Sequence, residues 1–176
     1  MPDTEPREVE LKLAASGEAM DTLLASQLLR AHARSSVRTR QLVTTYYDTA
    51  DHRLSRRRLA LRVRQSGRRF VQTLKTANTG QGAETSRGEW EVQRPDATPE
   101  LTAFAEPAVL DLTGLILPDE LQPVYETRFK RRALLVNWPD ASGPEAEIEV
   151  AFDRGAVRAA GAETPISEIE LELKRG

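Results

Sequence analysis

Charged side chains recur at every second position in four segments of the chain. Because successive side chains of a strand point to opposite faces, each set would lie on one face of a strand. Carboxylates are natural ligands of Mg²⁺ or Mn²⁺, and the planar arginine fork holds phosphate oxygens. Together the acidic and basic sets favour a ligand that is a polyphosphate with bound metal ions. The four sets are Glu8-x-Glu10-x-Lys12, Arg62-x-Arg64, Glu147-x-Glu149-x-Ala151-x-Asp153 and Glu168-x-Glu170-x-Glu172-x-Lys174.

The two signs of charge are separated along the sequence. Residues 52–83 contain nine Arg or Lys and no Asp or Glu, whereas residues 145–176 contain eight carboxylates and four bases. Like charges on neighbouring strands repel, so acidic strands need basic strands or cations nearby. A closed barrel with the charged faces inward and helices over the apolar outer faces would meet this need. A sandwich with its charged faces in solvent fits the same patterns.

Composition excludes several classes of site. The 176 residues include no cysteine and only two histidines, so disulfides, thiolate zinc sites, cysteine nucleophiles and histidine-rich metal sites are excluded. Any metal ion must therefore be coordinated by oxygen ligands. No apolar run could span a bilayer, and the acidic, polar start MPDTEPREVELK does not resemble a signal peptide. We therefore expect a cytoplasmic protein with neither a membrane nor a nucleic-acid partner.

The periodicity of apolar residues predicts about nine short strands and few helices. Ser16 would cap one helix over 17–33, and Thr98-Pro99-Glu100 would begin a short helix over 98–105. Residues 77–86 are polar and rich in glycine, which is typical of a loop, and Asp48 and residues 153–155 are placed in turns. The predicted strands are 8–13, 41–48, 59–65, 69–76, 88–94, 124–137, 145–153, 155–160 and 166–174.

An ordered set of motifs resembles the CYTH domain of the triphosphate tunnel metalloenzymes over about residues 7–176. The motifs are EVELK at 8–12, YYDTADHRL at 46–54, LALRVR at 59–64, TLK at 73–75, RGEWEV at 87–92, EIEVAFDRG at 147–155 and PISEIELELKRG at 165–176. The resemblance implies an α+β, mainly β fold. It would be a closed eight-stranded antiparallel β-barrel with a few flanking helices, formed by residues 1–176 as one domain.

The resemblance also implies two divalent ions, Mg²⁺ or Mn²⁺, and roles for particular residues. The implied metal ligands are Glu8, Glu10, Glu149, Asp153, Glu168 and Glu170. The implied phosphate-binding residues are Lys12, Arg62, Arg64 and Lys75, and Glu168, Glu170 and Lys75 are the implied catalytic residues. Four further carboxylates are either site residues or salt-bridge partners: Glu89, Glu91, Glu147 and Glu172. Five further arginines match no motif position and are expected to be solvated turn residues or an anion-steering rim: Arg56, Arg57, Arg58, Arg68 and Arg69.

One more phosphate-binding arginine is expected on the strand 124–137. Arg131 and Arg128 lie on opposite faces of that strand, so only one of them can face inward; we favour Arg131 and keep Arg128 open. The resemblance is to bacterial proteins in which a CYTH domain precedes a helical CHAD domain. The chain ends where a CHAD domain would begin, so we expect such a domain only in a longer chain.

The implied activity is metal-dependent hydrolysis of the terminal phosphoanhydride of inorganic triphosphate. Adenylate cyclase and thiamine triphosphatase activities occur on the same fold and remain open, because the phosphate-binding motifs are common to all three. A non-catalytic module that binds polyphosphate or nucleotide is the alternative from another functional class.

Overall fold

A computed structural model describes residues 7–77, 84–106, 109, 111, 113–114, 116–139 and 145–176, and the side chains of all of these except 7–8 and 84–87. The strands are β1 (Arg7–Ala14), β2 (Arg38–Thr49), β3 (Ala60–Ser66), β4 (Arg69–Lys75), β5 (Glu84–Arg94), β6 (Leu121–Trp138), β7 (Ala146–Ala159) and β8 (Ala162–Arg175). The helices include α1 (Gly17–Ala25), α2 (Gln27–His32) and α3 (Arg53–Arg56), with 3₁₀ turns at Leu101–Ala103 and Pro118–Glu120. No helix among these residues is long and apolar enough to cross a bilayer.

The strands form one curled antiparallel sheet. Its hydrogen-bonded order is β1-β5-β4-β3-β2-β6-β7-β8. β1 pairs with β5 along one edge and with β8 along the other. The longest ladders join β2 to β6, β6 to β7 and β7 to β8. The prediction of a mainly β protein with eight antiparallel strands and few helices is confirmed.

The apolar residues pack on the outer face of this sheet in two clusters. In the first, Met20 of α1 and Leu29 of α2 lie against Val136 of β6 and Phe152 of β7. The second cluster lies across β3, β4 and β5, and its members are Leu54, Leu59, Leu61, Leu74, Trp90, Leu101, Phe104, Val109 and Ile116. Segments 17–33 and 98–105 therefore both cover the sheet. Because side chains alternate along each strand, the charged positions are left for the inner face.

The predicted helices are shorter than expected. The helix predicted over 17–33 is broken at Ser26, whose backbone is extended and whose hydroxyl accepts a hydrogen bond from the Leu29 amide at 3.3 Å. Ser26 thus starts a second helix, as serine does at N-caps, while Ser16 caps the first as predicted. Within 98–105 only a 3₁₀ turn forms, and the Glu100 backbone before it is extended, with its amide donating to the Gln72 side chain at 2.6 Å.

The turn predicted at residues 153–155 is wrong, since β7 runs through it without a break. Gly155 pairs with Phe129 across the β6–β7 ladder. A Cβ atom on Gly155 would lie 2.1 Å from the Arg128 carbonyl oxygen and 2.4 Å from the Phe129 Cα. The glycine therefore permits a close approach of two strands. Of the predicted loop 77–86, residues 78–83 lie outside the described residues and 84–86 belong to β5.

Asp48 has the turn role predicted for it. Its Oδ1 accepts hydrogen bonds from the amides of Thr49 and Leu54 at 2.8 and 2.9 Å, and its Oδ2 accepts one from Ser55 at 3.0 Å. Burial opposes the charged form, but these hydrogen bonds outweigh it and lower the pKa of Asp48. The carboxylate thus holds the β2–α3 turn that leads the chain into β3.

We expect Gly155→Ala to lower the free energy of unfolding by about 3 kcal/mol or more, because the added Cβ overlaps backbone atoms that cannot move aside freely. Urea denaturation measures the loss. Gly67→Ala is the matched control: its φ is +61°, but no atom of the described residues lies within 4 Å of the added Cβ, so it should cost only about 1–2 kcal/mol. Equal losses in the two variants would contradict the close-approach role of Gly155.

Candidate functional site

The inner face of the curled sheet lines a cavity of about 880 Å³. Among the described residues, its basic lining on neighbouring strands β2, β3 and β4 is Arg38, Arg40, Arg62, Arg64, Arg69 and Lys75. Its acidic lining on β1, β5, β7 and β8 is Glu10, Glu89, Glu91, Glu149, Glu170 and Glu172. The strand order groups the basic strands on one side and the acidic strands on the other. The cavity therefore has a basic wall and an acidic wall.

Arg131 of β6 joins the two walls. It donates two hydrogen bonds to the carboxylate of Asp153, at 2.9 and 2.5 Å, and a further one to Glu170. Burial disfavours the charged guanidinium, but the two carboxylates more than compensate and raise the pKa of Arg131. The Asp153 side chain is only 1% exposed, and this burial raises its pKa in spite of the arginine.

Lys12 of β1 bridges two carboxylates of β8. Its Nζ lies 2.5 Å from Glu170 and 3.3 Å from Glu168. Burial alone would raise the pKa of Glu170, but Arg131 and Lys12 outweigh it and lower that pKa to about 2. The balance differs at Glu168, where burial, with help from the Glu170 charge, raises the pKa against the pull of Lys12. The two carboxylates therefore differ in basicity although they are two residues apart.

The basic wall meets the acidic strand β5 at Glu89. This carboxylate lies 2.8 Å from Lys75 Nζ and 3.4 Å from a guanidinium nitrogen of Arg62. Arg64 instead donates to the neutral hydroxyl of Thr44 at 3.2 Å. Burial and the nearby charges of Arg62 and Arg131 lower the pKa of Arg64 to about 10. An anion in the cavity would relieve this repulsion, which makes Arg64 a natural anion ligand.

Three carboxylates are placed to hold a metal ion. One oxygen from each of Asp153, Glu168 and Glu170 lies within 4.8 Å of the others. Such an all-oxygen donor set suits hard divalent cations. The raised pKa values of Asp153 and Glu168 show that their surroundings disfavour the carboxylate form, which a bound cation would stabilise. Glu10 and Glu149 flank this cluster, since both pair with Glu172 across their ladders. The donor set therefore fits a divalent metal.

The structure brings most of the predicted site residues together. Seven of them line the cavity: Glu10, Arg62, Arg64, Lys75, Arg131, Glu149 and Glu170. Two more, Asp153 and Glu168, belong to the carboxylate cluster, and Lys12 pairs with two of its members. The side chain of Glu8 lies outside the described residues. Of the four carboxylates with two open roles, Glu89, Glu91 and Glu172 line the cavity.

Arg128 does not reach the cavity. It lies on the face of β6 that also carries Arg132, which bonds to Asp21 of the covering helix α1. The Arg128 side chain is 51% exposed and pairs with Glu126 at 3.2 Å. The inward position on this strand belongs to Arg131, and Arg128 is corrected to an outer-surface residue.

Three lining arginines were missed as site residues by the sequence analysis. Arg38 and Arg40 precede the predicted start of β2, and Arg69 was placed in a turn or on a rim. The i, i+2 spacing of Arg38 and Arg40 is the same signal that identified Arg62 and Arg64. It was overlooked because the strand was predicted to begin at residue 41.

Residues 6–176 match the CYTH domain family. The chain belongs to the CYTH family. It is 36% identical over 178 residues to a Haemophilus influenzae protein named inorganic triphosphatase, an alignment that covers 97% of this chain and 46% of the relative. This CYTH chain thus spans about half the length of that relative.

Solved structures share the fold of this CYTH chain. A Hippeastrum protein, described as revealing a dominant triphosphatase activity, superposes with a TM-score of 0.64 at 20% identity, covering 96% of this chain and 80% of its own. The PH1819 protein of Pyrococcus horikoshii gives a TM-score of 0.53 at 18% identity, covering 96% of this chain and 78% of its own. At these identities the similarity establishes the fold alone.

The unequal pKa values of Glu168 and Glu170 predict opposite effects on stability at pH 7 in EDTA. A carboxyl whose pKa is raised by folding destabilises the protein above its unfolded pKa, so Glu168→Gln should raise Tm. A lowered pKa stabilises above the unfolded pKa, and this stability is lost as pH falls towards 2. Glu170→Gln should therefore cost up to about 3 kcal/mol, or several degrees of Tm.

Differential scanning calorimetry measures both changes. Glu163→Gln serves as the control on the same strand, because Glu163 is 56% exposed and its pair with Arg158 should contribute little. An equal fall in Tm for Glu168→Gln and Glu170→Gln would contradict the prediction that folding shifts the pKa values of the two carboxyls in opposite directions.

Proposed function

We propose that this CYTH chain hydrolyses the terminal phosphoanhydride of inorganic triphosphate with the help of a divalent metal, Mg²⁺ or Mn²⁺. The observation that carries the proposal is the cavity in which a basic wall faces an acidic wall. A linear triphosphate would lie against the arginines, and metal ions on its other side would meet the carboxylates. The name of the H. influenzae relative supports this substrate.

We also propose that the cavity is the interior of a closed barrel formed by one domain. The pairing of β1 with both β5 and β8 supports closure. Closure would remove the sheet edges and exclude bulk water from the charged walls, and this strengthens every electrostatic contact with the substrate.

The basic residues would bind and orient the phosphates. Arg62, Arg64 and Arg131 offer planar guanidinium forks, and Lys12 and Lys75 offer ammonium groups at the margin of the acidic wall. The pairs that Arg62, Lys75 and Arg131 form with carboxylates hold these cations in place before the substrate arrives. Preorganised cations stabilise charge that develops in the transition state without reorganising, and we assign this role to Lys75 as negative charge develops on the leaving diphosphate.

The metal would be held by Asp153, Glu168 and Glu170, with Glu8, Glu10 and Glu149 as further ligands on the same wall. When bound, a divalent ion supplies charge neutralisation and Lewis acidity to the phosphates. Glu168 has the more basic carboxylate of the β8 pair, so it would orient the attacking water and accept its proton. Glu170 is fixed by Arg131 and Lys12 and would hold the geometry of the cluster.

Substitutions on the two walls should affect different kinetic constants. Glu168→Ala and Glu170→Ala should each lower kcat for tripolyphosphate by about 10²-fold or more, because a positioned carboxylate is lost. Arg62→Ala should chiefly raise KM, by about tenfold, because a charged phosphate contact is lost. Phosphate release at varied tripolyphosphate concentration measures both constants, and Arg128→Ala on the outer face is the matched control. Wild-type turnover by both glutamate variants would refute their roles.

The substrate class can be tested directly. Tripolyphosphate, ATP and thiamine triphosphate are each incubated with the protein in Mg²⁺, in Mn²⁺ and in EDTA. We expect metal-dependent phosphate release chiefly from tripolyphosphate. Cyclic AMP formed from ATP would indicate a cyclase, and release chiefly from thiamine triphosphate would indicate that phosphatase. Tight binding of tripolyphosphate without release would support a binding module instead.

A further inference from the structure

Three arginines at one end of the cavity belong to the basic wall but have no assigned role in triphosphate binding. Arg38 and Arg40 lie on β2, and Arg69 lies at the start of β4. All three line the cavity and all three are exposed. Further along the same strands, burial increases to Thr44, which is fully buried, and to Lys75, which is 6% exposed. The three arginines therefore mark the mouth of the cavity, and Lys75 marks its deep end.

The register of the strands brings the three arginines to the same end. Ser66, the last residue of β3, pairs with Arg69 of β4 on one side and with Leu42 of β2 on the other. Arg40 and Arg38 lie two and four residues before Leu42, on the same face. The basic wall thus continues outward from Arg62 and Arg64 to the mouth.

The arginines at the mouth differ from the deep cations in their partners. Lys75 and Arg131, whose side chains are 7% and 14% exposed, are both paired with carboxylates. Among the residues that the structure describes, no carboxylate lies within ion-pair distance of Arg38, Arg40 or Arg69, and Arg40 stands opposite another arginine, Arg131, in the β2–β6 ladder. Adjacent like charges are unfavourable, so an anion between these side chains would lower the free energy.

We propose that Arg38, Arg40 and Arg69 form a second phosphate subsite, which holds the part of a linear polyphosphate that extends beyond its three terminal phosphates. This inference rests on the proposed function, since it takes the deep site to hold the phosphates at the chain end. It assigns the protein a preference for inorganic chains of four or more phosphates over tripolyphosphate. The fourth phosphate would contact guanidinium groups that a triphosphate leaves in water.

The test compares sodium tripolyphosphate with sodium tetrapolyphosphate. Their Kd values are measured by isothermal titration calorimetry in EDTA, and their kcat/KM values by phosphate release in Mg²⁺. We expect wild type to bind tetrapolyphosphate about tenfold more tightly, the effect of roughly one added charge-assisted contact. The relevant quantity is the ratio of the tripolyphosphate Kd to the tetrapolyphosphate Kd. This ratio should fall towards one in the double variant Arg38→Ala/Arg40→Ala on β2 and in the single variant Arg69→Ala on β4.

Arg68→Ala is the matched control, because it removes the same charge from the neighbouring exposed turn position and should keep the wild-type ratio. If the mouth variants weaken both anions equally, the arginines only steer anions and the subsite is refuted. If wild type hydrolyses tripolyphosphate but shows a ratio of one, the inference fails and the proposed function stands. If tripolyphosphate is neither bound nor hydrolysed, the proposed function fails and the subsite fails with it.

Discussion

The confinement of opposite charges on the inner face of one curled sheet is the constraint on which the structure depends. Carboxylates on β1, β7 and β8 would repel one another if they stood alone, and so would the arginines of β2 and β3. Arg131 lies between the two groups, because β6 separates β2 from β7, and both Arg131 and Lys12 reach Glu170. Removing water from such charges is costly unless they are paired. The fold meets that cost by pairing buried charges on neighbouring strands, such as Lys75 with Glu89 and Arg131 with Asp153.

This constraint reverses the usual arrangement of a small β protein. The apolar residues of the sheet face outward, so helices and 3₁₀ turns must cover them, and two separate clusters form instead of one central core. α1 and α2 cover one side, and the segments after β5 cover the other. The covering elements serve the site indirectly, because without them the outward apolar faces would expose large hydrophobic patches.

The charge arrangement also explains why the cavity can favour a ligand that carries both signs. Burial leaves Glu168 and Asp153 with raised pKa values, and neighbouring cations leave Arg64 with a lowered one. In each of these groups the surroundings disfavour the charged form. A phosphate chain that carries metal ions would bring positive charge to Glu168 and Asp153 and negative charge to Arg64. The cavity is thereby prepared for such a ligand before it binds.

The alternation of charged and apolar side chains along the strands could be predicted from the sequence, because it depends only on the two-residue period of a strand. It assigned Glu10, Arg62, Glu149 and Glu170 to the faces they occupy, and the ordered motifs indicated the CYTH family and its eight strands. Local signals also placed the Ser16 cap and the Asp48 turn. They failed at Gly155, where a glycine typical of turns instead permits two strands to approach, and at Ser26, where a serine inside a helical pattern starts a new helix.

Only the tertiary structure decided which charges meet. That Arg131 binds Asp153 and Glu170, that Arg128 lies outside, and that Arg38, Arg40 and Arg69 share the mouth all follow from strand order and register. These depend on contacts between residues far apart in the chain, which no local pattern encodes. The sequence determined which face of each strand is charged, and the pairing of the strands determined which partner each charge has.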